Sequence, residues 1–269
     1  MENKNAKISI GIVILIGAII ACLIFITSKS TSVPAEIIRG VISPKSDDHL
    51  KKYAETLINY YTPNDNFKLK DHGKTKDQPE IVGSSGLVVN IGSGEILFEK
   101  ASNEKRKIAS LTKIMTALVA LEHKKPEEKI YVSKQAADVG ENSMEISEGE
   151  IYTLEELLYG LMLHSGNDAA YAISEGVAGD DKTFVDWMNI KARELELKNT
   201  YFADPSGLDD STYSTPADLI KLTIYALNSP KFREIVKTFE IELTGNEHKY
   251  IYLQNQTNLL TTYPGAQGV

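Results

Sequence analysis

Ser110 and Lys113 stand three residues apart in Ala109-Ser110-Leu111-Thr112-Lys113-Ile114-Met115-Thr116-Ala117-Leu118, and their types suit nucleophilic chemistry. A serine hydroxyl is a weak nucleophile until a base takes its proton, and a neutral amine can be that base. Leu111, Ile114, Met115, Leu118 and Leu121 recur at helical spacing. This predicts a helix with one buried face and puts Ser110 and Lys113 on a shared edge. As a plain helix cap, Ser110 would be expected to pair with Glu or Gln at the third position. Lys113 instead sets a cation beside the positive helix end, unfavourable by roughly 0.3–1 kcal/mol. The same field, joined by desolvation, eases loss of the lysine proton. Ser102 and Lys105 repeat the spacing, but within the polar run Ser102-Asn103-Glu104-Lys105-Arg106-Lys107 and with no amphipathic helix behind them.

Ser165-Gly166-Asn167 is the only Ser-x-Asn in the chain and lies where a second helix ends. Alone it reads as a C-terminal turn, for which Gly and Asn are common. Beside Ser110 and Lys113 it supplies what that pair lacks, a third polar group to pass a proton to a leaving amine and an amide to hold a substrate.

The elements that must position these groups follow from local signals. Gly86-Leu87-Val88-Val89-Asn90-Ile91 and Ile96-Leu97-Phe98-Glu99 flank Gly92-Ser93-Gly94-Glu95 as a hairpin. Thr153 and Glu156 form a capping box that opens a helix over 154–164. Further helices are expected over 168–175 and 180–195, the latter carrying Phe184, Trp187, Met188 and Ala192, and another opens at Thr215-Pro216. Residues 239–243 and 250–253 read as a second hairpin around Gly245-Asn246. Strands at both ends with helices between them predict one α+β domain over 81–269.

The composition excludes several function classes. Of 269 residues, 42% are hydrophobic and 25% charged, as in a folded protein. A net charge of -8 with no basic patch argues against nucleic acid as a partner. One cysteine rules out an internal disulfide and Cys-based zinc sites, and the five histidines lack HExxH spacing, so no metal or cofactor is expected. Residues 8–27 form an apolar run long enough to cross a bilayer, and Lys4 and Lys7 precede it. The expectation is a cytoplasmic 1–7, a single-pass signal-anchor at 8–27 and an exported remainder on the outer face of the cell membrane. A cleaved signal peptide would have an apolar core of about 7–15 residues and an Ala-x-Ala-like site. Ile19-Ile20-Ala21-Cys22 fits a lipoprotein box only loosely, because Leu23-Ile24-Phe25-Ile26 continues the apolar run. Residues 28–80 read as a spacer with one short helix over 48–61. Its Gly73-Lys74-Thr75 is no phosphate loop, since position 68 is Lys and no apolar strand precedes it.

From Ser85 onward the chain resembles the D-alanyl-D-alanine carboxypeptidases, low-molecular-mass penicillin-binding proteins of the serine DD-peptidase and β-lactamase superfamily. The stretches that carry the resemblance are the Ser110 run, Leu161-Met162-Leu163-His164-Ser165-Gly166-Asn167-Asp168-Ala169-Ala170, Asp204-Pro205-Ser206-Gly207-Leu208-Asp209 and Ser214-Thr215-Pro216-Ala217-Asp218-Leu219. It implies a DD-peptidase-like α+β fold, an antiparallel sheet with a helical subdomain. It also implies Ser110 as the nucleophile that forms an acyl-enzyme, Lys113 as its general base, Ser165 as the relay to the leaving D-alanine, and Asn167 as a hydrogen-bonding partner of the substrate's peptide amide. The implied partners are peptidoglycan stem pentapeptides ending in D-Ala-D-Ala and β-lactam antibiotics. Gly166 in the middle of Ser-x-Asn favours the carboxypeptidase branch. The alternatives are a β-lactamase-like hydrolase, for which Glu194 and Glu196 are candidate bases, and a non-catalytic penicillin- or peptidoglycan-binding protein.

The superfamily's third motif, Lys-Thr-Gly, does not occur in the 269 residues. Pro264-Gly265-Ala266-Gln267-Gly268-Val269 resembles its lead-in. The expectation is therefore a catalytic domain cut off before that motif, inactive as it stands and competent in a full-length parent.

Overall fold

Helix α1, Lys113–His123, is the element around which the others pack. Residues 113–120 are all buried, and four helices surround it: α3 (Leu154–Leu163), α4 (Asn167–Ala178), α5 (Asp181–Glu194) and α6 (Pro216–Ala226). The computed structural model describes residues 79–264 and 266–268. The expected N-terminus 1–7, anchor 8–27 and all but the last two residues of the spacer 28–80 lie outside the described residues. Among those described, no helix is long and apolar enough to cross a membrane.

The expected one-sided burial of the Ser110 helix is corrected. A helix at the centre of a bundle is apolar all round, and α1 achieves this with Ile114, Met115, Leu118 and Val119 together with Ala117 and Ala120. Thr116 is buried too, its hydroxyl donating to the Pro205 carbonyl at 2.5 Å. Leu111, assigned to the buried face, is 49% exposed. It belongs to a 3-10 turn, Ala109–Thr112, ahead of α1, and the tighter winding takes it out of register with the α-helical stripe.

The other local signals hold. Thr153 accepts from the Glu156 N–H at 3.2 Å while the Glu156 carboxylate accepts from the Thr153 N–H at 2.7 Å, the reciprocal box that opens α3. Thr215 caps α6 by accepting from Asp218 N–H at 3.1 Å. Helix α4 runs three residues past its expected end, to Ala178, where Gly179 adopts a left-handed φ of 88°. Three helices were not foreseen: α2 (Lys134–Ala137), α7 (Pro230–Lys237) and the short α8 (Leu259–Thr262). Helix α7 buries Phe232, Ile235 and Val236 on one face.

The fold is α+β, but its strands do not join in one sheet. Among the described residues there are four two-stranded antiparallel sheets. β1 (Gly86–Val89) pairs with β2 (Ile96–Lys100) with a bulge after Val88, the expected first hairpin. β3 (Arg106–Lys107) pairs with β6 (Tyr213–Ser214), and β4 (Lys129–Tyr131) with β5 (Ile151–Thr153). β7 (Glu240–Leu243) and β8 (Ile251–Gln254) form the expected second hairpin. The hairpins stay apart because they cover different helices, β1 packing on α6 and the β7–β8 pair on α3. A last short helix, α8, spans Leu259–Thr262.

Candidate active site

The Lys113 ammonium makes three hydrogen bonds, to Ser110 Oγ at 3.1 Å, Asn167 Oδ1 at 2.7 Å and the Ser206 carbonyl at 3.1 Å. Its three donors meet three acceptors. Two of them, the amide oxygen and the backbone carbonyl, can only accept. When Lys113 is neutral, its two remaining N–H bonds go to these, and its lone pair is left facing Ser110, the one partner able to give a proton. The pair expected at i and i+3 is therefore in contact, with the lysine only 2% exposed and the serine open to solvent.

Burial pushes the Lys113 pKa down to about 8, against the opposing pull of Asp204, Asp168 and Glu141. About a tenth of the lysine is then neutral at pH 7, whereas an unperturbed one would be about 10⁻³ to 10⁻⁴ neutral. Two helix N-termini add their positive ends, since Lys113 begins α1 and Asn167 begins α4.

Each wall of the site has a local cause. Asp204 anchors the loop that presents the Ser206 carbonyl. Its carboxylate accepts from Ser206 N–H, Gly207 N–H and Asp209 N–H at 2.5 Å each and from Ser206 Oγ at 2.7 Å. Gly207 has φ 87°, and a Cβ there would lie 2.0 Å from the Ala109 carbonyl oxygen. Only glycine lets this loop close on the turn that carries Ser110. Ala109 is itself left-handed at φ 44°, and the β3–β6 pairing ties the chain just before it to Tyr213–Ser214.

Asn167 is 3% exposed. Its Nδ2 donates to the Gly140 carbonyl at 3.1 Å and its own N–H to the Asn142 carbonyl at 2.7 Å, so it bridges Lys113 to the loop before Ser143. Asp168 closes that loop by accepting from Met144 N–H, Ile146 N–H and Ser143 Oγ at 3.0, 3.1 and 2.6 Å. Gly166 has no room for a side chain, because a Cβ would meet Asp168 Oδ1 at 2.9 Å.

Ser165 differs from the other three groups. It is left-handed at φ 56°, and its buried Oγ has no hydrogen-bond partner. Burying a hydroxyl unpaired costs about 1–3 kcal/mol, and a strained φ adds a similar amount. The ring of its neighbour His164 donates from Nδ1 to the Ser143 carbonyl at 2.9 Å and forms one wall of a cleft of about 420 Å³ with Tyr252, Gln254 and Gln256. Of the expected residues, Ser110, Lys113 and Asn167 are joined by direct bonds, while Ser165 stands without one. Asp204 and Ser206 were read only within a stretch that carries the family resemblance, with no role assigned to either. Ser206 acts through its backbone carbonyl, which no residue type advertises. Among the described residues no group of three or more His, Cys, Asp or Glu is arranged to hold a metal ion.

Residues 72–269 match the D-alanyl-D-alanine carboxypeptidase family, peptidase S11. The chain belongs to this family. Among curated members, it is 35% identical over 206 residues to a D-alanyl-D-alanine carboxypeptidase of Bacillus subtilis (strain 168), covering 74% of this chain and 53% of that one. It is 34% identical over 210 residues to a D-alanyl-D-alanine carboxypeptidase of Streptomyces sp. (strain K15), covering 71% and 72%. The chain thus spans about half the length of its Bacillus relative. Among solved structures, the Streptomyces K15 DD-transpeptidase superposes with a TM-score of 0.68 at 33% identity, covering 72% of this chain and 80% of that one. The D-alanyl-D-alanine carboxypeptidase of Mycobacterium tuberculosis H37Rv gives a TM-score of 0.68 at 31% identity, covering 75% and 76%.

Proposed function

We propose that the full-length protein is a serine D-alanyl-D-alanine carboxypeptidase that trims stem pentapeptides of peptidoglycan and is acylated by penicillin. The observation that carries this reading is the Lys113 arrangement, a buried amine whose only protic partner among three is Ser110. Neutral Lys113 takes the Ser110 proton as Oγ attacks the carbonyl between the two D-alanines. The amine of the leaving D-alanine needs a proton for the tetrahedral intermediate to collapse. Ser165 Oγ, buried and unpaired, suits a relay from Lys113 to that nitrogen. Water then attacks the ester on Ser110, with Lys113 again as base. Asn167 holds Lys113 in line and has a second N–H to offer the substrate.

Relatives bear the names carboxypeptidase, endopeptidase and DD-transpeptidase. All three names are compatible with one acyl-enzyme, and the choice of water as acceptor belongs to this proposal. So do the anchor at 8–27, the spacer at 28–80 and an extracytoplasmic catalytic domain at 81–269, which rest on the apolar run and its flanking lysines. The test is D-alanine release from a pentapeptide by the full-length protein, with and without an added amine acceptor. Release in plain buffer, abolished by Ser110→Ala, supports the reading. Product formed only as a peptide–amine adduct would contradict it.

A further inference from the structure

The peptide group joining Ser206 to Gly207 lies between two charges. Its carbonyl accepts from the Lys113 ammonium at 3.1 Å, and its N–H donates to Asp204 Oδ1 at 2.5 Å. Of the three partners of Lys113, only this one belongs to a group held at its other end by a carboxylate. Asn167 passes its remaining bond to the neutral Gly140 carbonyl. The orientation of the peptide is fixed from both sides. Asp204 also accepts from the N–H groups of Ser206 and Asp209, and the carbonyl of Pro205, one residue earlier, accepts from Thr116 of α1. Asp204 is 7% exposed, so solvent screens its charge little. Hydrogen bonds in such a chain polarise one another, and a cation at the carbonyl end strengthens the N–H donor at the other.

We propose that Asp204 is a positioning residue that acts on Lys113 through the Ser206–Gly207 peptide, orienting the carbonyl that aims the amine and supplying, one peptide away, the negative charge that supports its protonated form. The inference rests on the reading of Lys113 as base and deepens it by naming the group that sets the strength of that base. Burial alone would make the amine a poor proton acceptor, and Asp204 is foremost among the carboxylates that oppose that effect. A carboxylate in direct contact would hold the ammonium too firmly, whereas one peptide away its pull is partial. The other titratable groups facing Lys113 are Asp168 and Glu141. Tyr171 of α4 faces the Asp204 loop, and burial, then the charge of Asp204, push its phenol up to about 12, with Asp181 and Asp209 adding to the effect.

The experiment follows the rate of penicillin acylation against pH in the full-length protein, unaltered and as Asp204→Asn and Asp204→Glu. Asp204→Asn keeps an oxygen for the Ser206 and Gly207 N–H groups and removes the charge. Lys113 then loses its proton more easily, so the midpoint of the profile should move downward by about one pH unit, while the plateau falls as the carbonyl is held less firmly. Asp204→Glu keeps the charge on a longer side chain, so its plateau should fall with the midpoint little moved. A role confined to the fold would lower the plateau in both variants and move neither midpoint, and that result overturns the inference. Should Asp204→Asn not fold, Asp204→Ser, whose hydroxyl accepts from the same N–H groups, carries the same expectation. Failure of both neutral variants to fold would assign Asp204 to the fold alone and also overturn the inference, leaving the carboxypeptidase reading intact. Absence of acylation in the unaltered protein at every pH overturns that reading and this inference with it.

Discussion

Lys113 Nζ lies 2.7 Å from Asn167 Oδ1, closer than the 3.1 Å that separates it from Ser110 Oγ. Lys113, the proposed base, is held most closely by the first residue of α4, 54 positions away in the chain. A neutral amide suits this post, because it aims the amine without adding charge that would keep it protonated.

Asn167→Asp should therefore act on the pKa of Lys113 more than on its position. A carboxylate within hydrogen-bond reach favours the ammonium by roughly 1–3 pKa units. The pH profile of penicillin acylation should move upward by that much, with the rate partly regained at high pH. An unshifted profile would mean that Asn167 does not face the base during acylation.

The pH dependence of the unaltered protein follows from the same lysine. With Lys113 as the proposed base, the acylation rate should rise with pH up to about 8 and level off above, following the lowered pKa. Lys113→Arg, which stays protonated throughout, should acylate about as poorly as a protein lacking Ser110. Near-normal labelling by that variant would point to a different base.

Local interactions were legible in the sequence and tertiary ones were not. The Thr153–Glu156 box placed the start of α3 because both partners lie within one turn. Leu111 was misread because the switch from 3-10 turn to α-helix at Lys113 changes its direction, and apolar spacing is blind to that switch. The missed α7 had a usable signal, Ser229-Pro230, of the same kind as Thr215-Pro216. In the site, side chains of distinctive type were found and the backbone carbonyl of Ser206 was not. It arrives from 93 residues away through a loop whose only mark is Asp204-Pro205-Ser206-Gly207.

That loop makes Gly207 a test of the packing argument. Gly207→Ala imposes a left-handed φ on alanine and drives its Cβ into the Ala109 carbonyl. The expected loss is about 2–4 kcal/mol in denaturant unfolding, together with slower acylation as the Ser110 turn and the Ser206 carbonyl move apart. A stability change below about 0.5 kcal/mol would show that the two segments separate at little cost.

Ser165 should show stability and activity moving in opposite directions. Its Oγ is buried without a partner, so Ser165→Ala removes an unsatisfied hydroxyl and should leave the melting temperature unchanged or raised. D-Alanine release should nonetheless fall by about 10²–10⁴-fold, the usual worth of a proton-transfer group. A lower melting temperature with turnover retained would make Ser165 a structural residue.

The central claim is that Ser110, activated by Lys113, carries the acyl group. Its most direct test is mass spectrometry of the full-length protein after reaction with penicillin, mapping the adduct to a serine. The adduct is expected on Ser110 and none on Ser102, with complete loss of labelling in Ser110→Ala and a fall in turnover of about 10⁴–10⁶-fold in that variant. An adduct on any other residue, or labelling that survives Ser110→Ala, would contradict it.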